Sequence, residues 1–267
     1  MKKIFILALS SVFTISPFIS HAATADTDSN TSRNPANDIA SGDIQKSPAT
    51  AEPAESPLTG TFAITSNYLF RGISVSDNLP AVQGGLTYTF LKPGIYFNVW
   101  GSNTNFAAPD GSTATVEFDT VAGVANDLGE HFHYDLSIAR YNYPKASAAS
   151  YNEFIANAAY YFVTAQIGFS SDVYGSHQDG TYYNLGINFD VPPQYALHFN
   201  NVNIKGGIGH YSLPRSAGLL SYNDYNIQIS KAIGIYTLAL QWTGTNGNNQ
   251  TPPIDDDHIV AAVTARF

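Results

Sequence analysis

The residues of this sequence best suited to chemistry are a small set of charged and amide side chains on the polar faces of alternating segments. Glu117, Asp119, Asp135 and Glu153 supply acid; Arg71, Lys205 and Arg266 supply base; Gln83, Asn98, Gln166 and Gln228 fall on the same kind of face. In an extended strand residues i and i+2 share a side, so Glu117 and Asp119 stand next to each other. If such faces line an enclosed space, rings of charge select ions by sign, and the excess of acid over base points to a cation preference. The opposing arrangement has acids and bases pairing across the interior and filling it. Arg71, beside Gly72 where the first segment enters a loop, would either face acids at a constriction or cap a rim with ion pairs.

Other chemistries find less support. His210 and Ser212 near a segment end suggest a Ser–His hydrolase, but a chain rich in Ser brings such neighbours together by chance. His131, His133 and Asp135 alternate as ligands on one strand face would, yet no second cluster completes a metal sphere. The absence of Cys excludes disulfides, thiol catalysis and Cys-ligated zinc. No phosphate-cradling Gly loop or dinucleotide fingerprint is present, so no cofactor and no enzymatic activity is expected. A net charge of -9 provides no basic footprint for nucleic acid.

The elements that position these residues read as strands. Of 267 residues, 44% are hydrophobic, 13% aromatic and only 12% charged, with 17 Tyr, 16 Phe and 21 Gly, a mixture that favours strands and tight turns over helices. Period-two alternation recurs: Tyr183, Leu185, Ile187 and Phe189 against Asn184, Gly186, Asn188 and Asp190, and Val116, Phe118, Thr120 and Ala122 against Thr115, Glu117, Asp119 and Val121. About twelve such segments begin near Thr61, Ala81, Ile95, Ala114, Phe132, Asn152, Thr164, Thr181, Asn201, Asp224, Ile235 and His258, each about the 9–11 residues that a tilted transmembrane strand needs.

A soluble barrel turns its apolar face inward and charges its exterior, whereas an outer-membrane barrel does the reverse. The polar faces here carry Asn, Gln, Ser, Thr and Gly rather than the roughly 25–35% charge of a solvated surface. The connections alternate in length. Those after the second, sixth and tenth segments are tight, around Pro93-Gly94, Phe162-Val163 and Ile233-Gly234; those after the third, fifth, seventh, ninth and eleventh are longer, such as Asn103 to Thr113, Gly175 to Gly180 and Thr245 to Asp257. The turn at Pro192-Pro193 is a longer exception. Such parity is expected of an antiparallel barrel with both ends in the periplasm. The reading is therefore all-β: a single transmembrane antiparallel barrel of about 12 strands over residues 58–267. Aromatic residues Tyr68, Phe70, Tyr96, Trp100, Tyr134, Tyr183, Tyr236 and Trp242 are expected mostly in girdles at the two membrane interfaces.

Upstream, Lys2-Lys3, an apolar run from Ile4 to Phe18 and Ser20-His21-Ala22-Ala23 read as a secretory signal peptide over 1–22. Residues 23–57 lack aromatics and are rich in Ser, Thr, Asn, Asp, Ala and Pro, the composition of a disordered linker or periplasmic tail.

The block Asn67-Tyr68-Leu69-Phe70-Arg71-Gly72-Ile73-Ser74, with Asp77-Asn78 and Pro80-Ala81-Val82-Gln83-Gly84-Gly85, resembles the opening signature of the TorF family porins, Gram-negative outer-membrane proteins first recorded as conserved hypotheticals. Further likenesses are Trp100-Gly101-Ser102-Asn103, Glu117-x-Asp119, Tyr141-Asn142-Tyr143-Pro144, Tyr151-x-Glu153 and Asp224-Tyr225. The alternating terminal strand, with Ile259, Val263 and Phe267 on one face, is similar to the signal that hands outer-membrane barrels to their assembly machinery. The resemblance implies residence in the Gram-negative cell outer membrane and contact with its lipid and lipopolysaccharide. The function then expected is passive diffusion of small polar or ionic solutes, the alternative being a non-conducting structural or surface-interaction barrel.

Overall fold

The computed structural model describes residues 57–90, 94–192, 194–195, 200–246 and 257–267. The expected signal peptide lies outside these residues, as does the 23–57 segment apart from Pro57. Strands β1 (Leu58–Thr65), β4 (Ala81–Thr89), β5 (Ile95–Ala107), β6 (Thr113–Leu128), β7 (Phe132–Asn142) and β8 (Tyr151–Tyr160) build one half of the fold. The other half is β9 (Val163–Ser170), β10 (Gly180–Val191), β11 (Val202–Ser212), β12 (Tyr222–Ile233), β13 (Tyr236–Thr245) and β14 (His258–Arg266). These twelve strands form a closed barrel in sequence order. The seam is the antiparallel β1–β14 pair, with Thr61 opposite Arg266 and Thr65 opposite Ala262, so every barrel edge is paired.

Two short strands, β2 (Leu69–Phe70) and β3 (Ile73–Ser74), make a separate hairpin between β1 and β4. One segment outruns its expected end: β5 continues past Asn103 to Ala107 through a register shift between Asn103 and Phe106. A bulge lets a strand bend without surrendering its remaining ladder bonds, so the connection to β6 shrinks to 108–112.

Alternation sorts the side chains as the sequence pattern requires. Ile138 is 60% exposed, Ile208 66% and Leu240 52%, all on the outer surface. Large apolar residues from every barrel strand join them there, a continuous band that water would penalise and lipid would cover. The inner face is polar or small over the half nearer the chain ends, and packed with aromatics over the half nearer the long connections. The connections after β1, β7, β9, β11 and β13 are long, and both described ends of the chain lie at the opposite end, where the turns are tight except for the β10–β11 connection over 192–201.

Two of those connections lean inward. Ala146 and Ala149 between β7 and β8, and Val173 and Tyr174 between β9 and β10, are buried. At Gly175, φ is +66° and a Cβ would run into the carbonyl oxygen of Ala148. Gly175→Ala is therefore expected to cost roughly 1–3 kcal/mol through backbone strain, read as a lower urea midpoint of the folded barrel, whereas Gly111→Ala, with φ +84° but open space around it, should cost less.

Candidate functional site

The β1–β4 connection enters the barrel instead of standing above it. Its two-residue turn, Arg71-Gly72, has φ of 47° and 84°, the sign pattern of a type I′ hairpin, in which Asn and Gly are the residues that fit most easily. The hairpin is tied together by Val75 N–H donating to the Tyr68 carbonyl at 2.8 Å, Tyr68 N–H donating to Ser76 Oγ at 2.9 Å and Ser74 Oγ donating to Asn67 Oδ1 at 2.7 Å. It is tied to the wall by Asn105 N–H donating to the Val75 carbonyl at 2.8 Å. Tyr68, Phe70, Ile73 and Val75 are buried in the interior core with Trp100, Phe106, Tyr143 and Tyr211.

Arg71 is the polar centre of this packing. Its Nη2 donates to both Glu153 carboxylate oxygens at 2.9 and 3.0 Å, and the Tyr141 hydroxyl donates to Glu153 Oε2 at 3.0 Å. The guanidinium carbon lies 4.0 Å from the Tyr182 ring centroid and 4.4 Å from those of Phe70 and Tyr211. Asp224 Oδ1 accepts the Tyr182 hydroxyl at 3.1 Å. On the neighbouring wall the Tyr68 and Tyr143 hydroxyls donate to the two oxygens of Glu117 at 3.0 and 2.8 Å. Asp119, two residues further along, is fully buried beside Glu117. Glu153 alone hydrogen-bonds the cation, while Glu117, Asp119 and Asp224 lie buried on the same inner face of the loop half.

Gly168 on β9 makes room for the ion pair: a Cβ there would meet Arg71 Nη2 and Glu153 Oε1 at 2.8 Å. Gly168→Val is expected to push the pair apart and loosen the hairpin, checked as increased proteolysis within residues 66–80, with Gly84→Val as the mild control because its nearest atom is 3.6 Å away.

The structure brings Arg71, Glu117, Asp119 and Glu153 together at the loop end, and buries Gln83 there too. Arg71 does not cap a rim; the inward hairpin carries it inside. Asp135 sits further down, accepting the Tyr96 hydroxyl at 2.9 Å, and Asn98 donates to Thr87 Oγ1 at 2.8 Å. Lys205, paired in register with Gln228, and Arg266, opposite Thr61, point inward near the tight-turn end, yet both are exposed. Water therefore reaches the interior there. Ile259, Val263 and Phe267 lie on the outer face, and Phe267 exchanges backbone hydrogen bonds with Gly60 at 2.6 and 3.1 Å across the seam.

Four of the aromatics expected in girdles are placed differently. Tyr68 and Phe70 travel inward with the hairpin, and the alternation that puts Asn98 inside puts Tyr96 and Trp100 there as well. Tyr134, Tyr183, Tyr236 and Trp242 do face outward. The other histidine candidates are separated by their own partners. His210 is on the outer face beside Asn223 at 2.7 Å, His133 contacts Asp127 at 2.8 Å, and His131 stacks on Tyr161. Sequence reasoning named Asp224 only as a family likeness and did not single out Tyr182 or Tyr211. Each shares the inner face with residues already assigned to it, so extending the same parity along β10, β11 and β12 would have found them.

Residues 50–267 match the model of a family described as "Bacterial protein of unknown function (Gcw_chp)". No curated protein matches the sequence. Among solved structures, the KdgM porin is similar at a TM-score of 0.50 with 7% identity, over 78% of this chain and 98% of that one. A membrane protein solved in a study of in-meso crystallization also reaches 0.50, with 9% identity over 78% and 83%. At such identities the likeness shows the barrel fold alone.

Proposed function

The chain belongs to the Gcw_chp family of bacterial proteins of unknown function, and from its barrel we propose that it is a porin-like outer-membrane channel for passive diffusion of small polar or ionic solutes. The observation that carries this reading is the asymmetry of the interior. Toward the tight-turn end, inward-pointing Lys205 and Arg266 are exposed, and the wall between them and the hairpin carries Asn, Gln, Ser, Thr and Gly together with Tyr96 and Asp135. Toward the loop end, Glu117, Asp119 and Glu153 are at 0–1% exposure beneath the β2–β3 hairpin. In this reading a polar vestibule meets a constriction lined by buried acids, which would favour cations.

The finer parts of the proposal rest on the sequence: membership of the TorF group on the Asn67–Ser74 block, and delivery by the assembly machinery on Ile259, Val263 and Phe267. The loops would face outward toward lipopolysaccharide and the tight turns the periplasm. The packed loop end also favours a second reading, a non-conducting barrel that serves as a structural or surface-interaction protein.

Planar-bilayer recording of the refolded protein separates the two. The channel reading expects discrete current steps with a reversal potential displaced toward that of the cation in a salt gradient. A folded protein that yields no steps supports the second reading.

A further inference from the structure

The wall facing Arg71 has the chemistry of a binding site in its own right. Glu153 from β8, Tyr182 from β10, Tyr211 from β11 and Asp224 from β12 are all contributed by the rigid barrel. Only Phe70 and the guanidinium itself come from the hairpin. Glu153 and Asp224 are each buried to 2% exposure or less, and Asp224 Oδ2 makes no hydrogen bond. Two desolvated carboxylates flanked by ring faces are poorly matched to a small hydrated metal ion. They match a flat, weakly hydrated organic cation that gains from both charge and aromatic faces. The backbone accepts a left-handed residue with a Cβ at the hairpin tip, φ 47°, a conformation that Asn or Gly adopts at lower cost. The chain thus bears strain at the position that delivers this side chain.

We infer that the Glu153–Tyr182–Tyr211–Asp224 cage is a solute site for guanidinium-type and related organic ammonium cations, and that Arg71 is its built-in occupant. Withdrawal of the hairpin would leave Glu153 and Asp224 buried without a counter-charge, a costly state. An incoming organic cation restores that charge, so cage occupancy and hairpin position are coupled: solute and Arg71 exchange for one another. Transport through the site rests on the channel reading above; binding to it does not.

The test uses the full refolded chain in detergent micelles and methylguanidinium as probe, with potassium as comparator. Arg71→Gly suits the positive φ while removing the occupant. It is expected to bind methylguanidinium at least about tenfold more tightly than the wild type by calorimetry, a gain within reach of a desolvated cation–π contact. Arg71→Gly/Glu153→Gln is expected to lose that gain, and potassium should not reproduce it. The same cation should block current through Arg71→Gly in a planar bilayer. If Arg71→Gly does not fold, judged by heat-modifiable gel migration, Arg71→Lys serves instead. Its point charge stacks less well, so methylguanidinium should bind it more tightly than it binds the wild type. No gain in either variant, or an equal gain with potassium, overturns the inference. Current without a binding gain overturns the cage and leaves the channel standing; a binding gain with no current in any variant does the reverse.

Discussion

Glu153→Ala is expected to expose the β2–β3 hairpin to trypsin at Arg71 and to raise single-channel conductance several-fold. In the wild type Arg71 is 8% exposed and its hydrogen bonds go to Glu153, so removing the carboxylate leaves a buried guanidinium uncompensated. Breaking one partner of a buried pair costs about 3–5 kcal/mol. Holding the hairpin in place against that cost are burial of Tyr68, Phe70, Ile73 and Val75 in the interior core, the Tyr68–Glu117 hydrogen bond, stacking of the guanidinium on Phe70, Tyr182 and Tyr211, and the backbone bond from Asn105 to Val75. Water offers the charge full hydration a short distance away, so the hairpin tip should open around Arg71 while its apolar side chains resist wholesale release. Cleavage after Arg71 in the variant but not in the wild type, followed by mass spectrometry, checks the opening directly. A variant as resistant as the wild type, with unchanged conductance, would show that packing and not the ion pair sets the hairpin position.

Leu240→Arg and Gln241→Arg are adjacent in β13 and should behave oppositely. Leu240 is 52% exposed on the outer face, opposite Ile229 and Ala261. An arginine near the bilayer midplane on a lipid-facing strand costs roughly 2–4 kcal/mol. Gln241 points inward, opposite Gln228 and Val260, where an added charge remains in contact with the aqueous interior and should be close to neutral. Urea titration of the barrel refolded into lipid vesicles reads the difference as a fall in midpoint for Leu240→Arg alone. Equal losses would mean that the outer face is not in lipid.

The barrel was legible because period two is a local signal. Val116 to Ala122 against Thr115 to Val121 assigns inside and outside with no knowledge of neighbouring strands, and each of the twelve expected segments is a strand of the closed barrel. The same parity placed Glu117, Asp119, Glu153, Lys205 and Arg266 on one face. What parity cannot carry is the path of a connection. Nothing periodic in Ser66 to Pro80 distinguishes a loop standing in water from one folded inward. The aromatic content of Tyr68 and Phe70 fits a membrane interface as well as an interior core, so the meeting of Arg71 with Glu153, 82 residues away, was invisible. Trp100 and Tyr96 are a different case. Their inward direction follows from Asn98 between them, because strand position and not aromatic type sets the side.

A barrel whose constriction is formed by a segment of its own first loop should change its current when that segment is removed and nothing else is. The most direct measurement is single-channel recording of the refolded wild type beside a variant in which residues 67–79 are replaced by a short Gly-Ser linker, both checked for folding by heat-modifiable migration. The expected result is small, cation-preferring steps from the wild type and steps several-fold larger from the variant. Identical steps from the two, or silence from both, would contradict it.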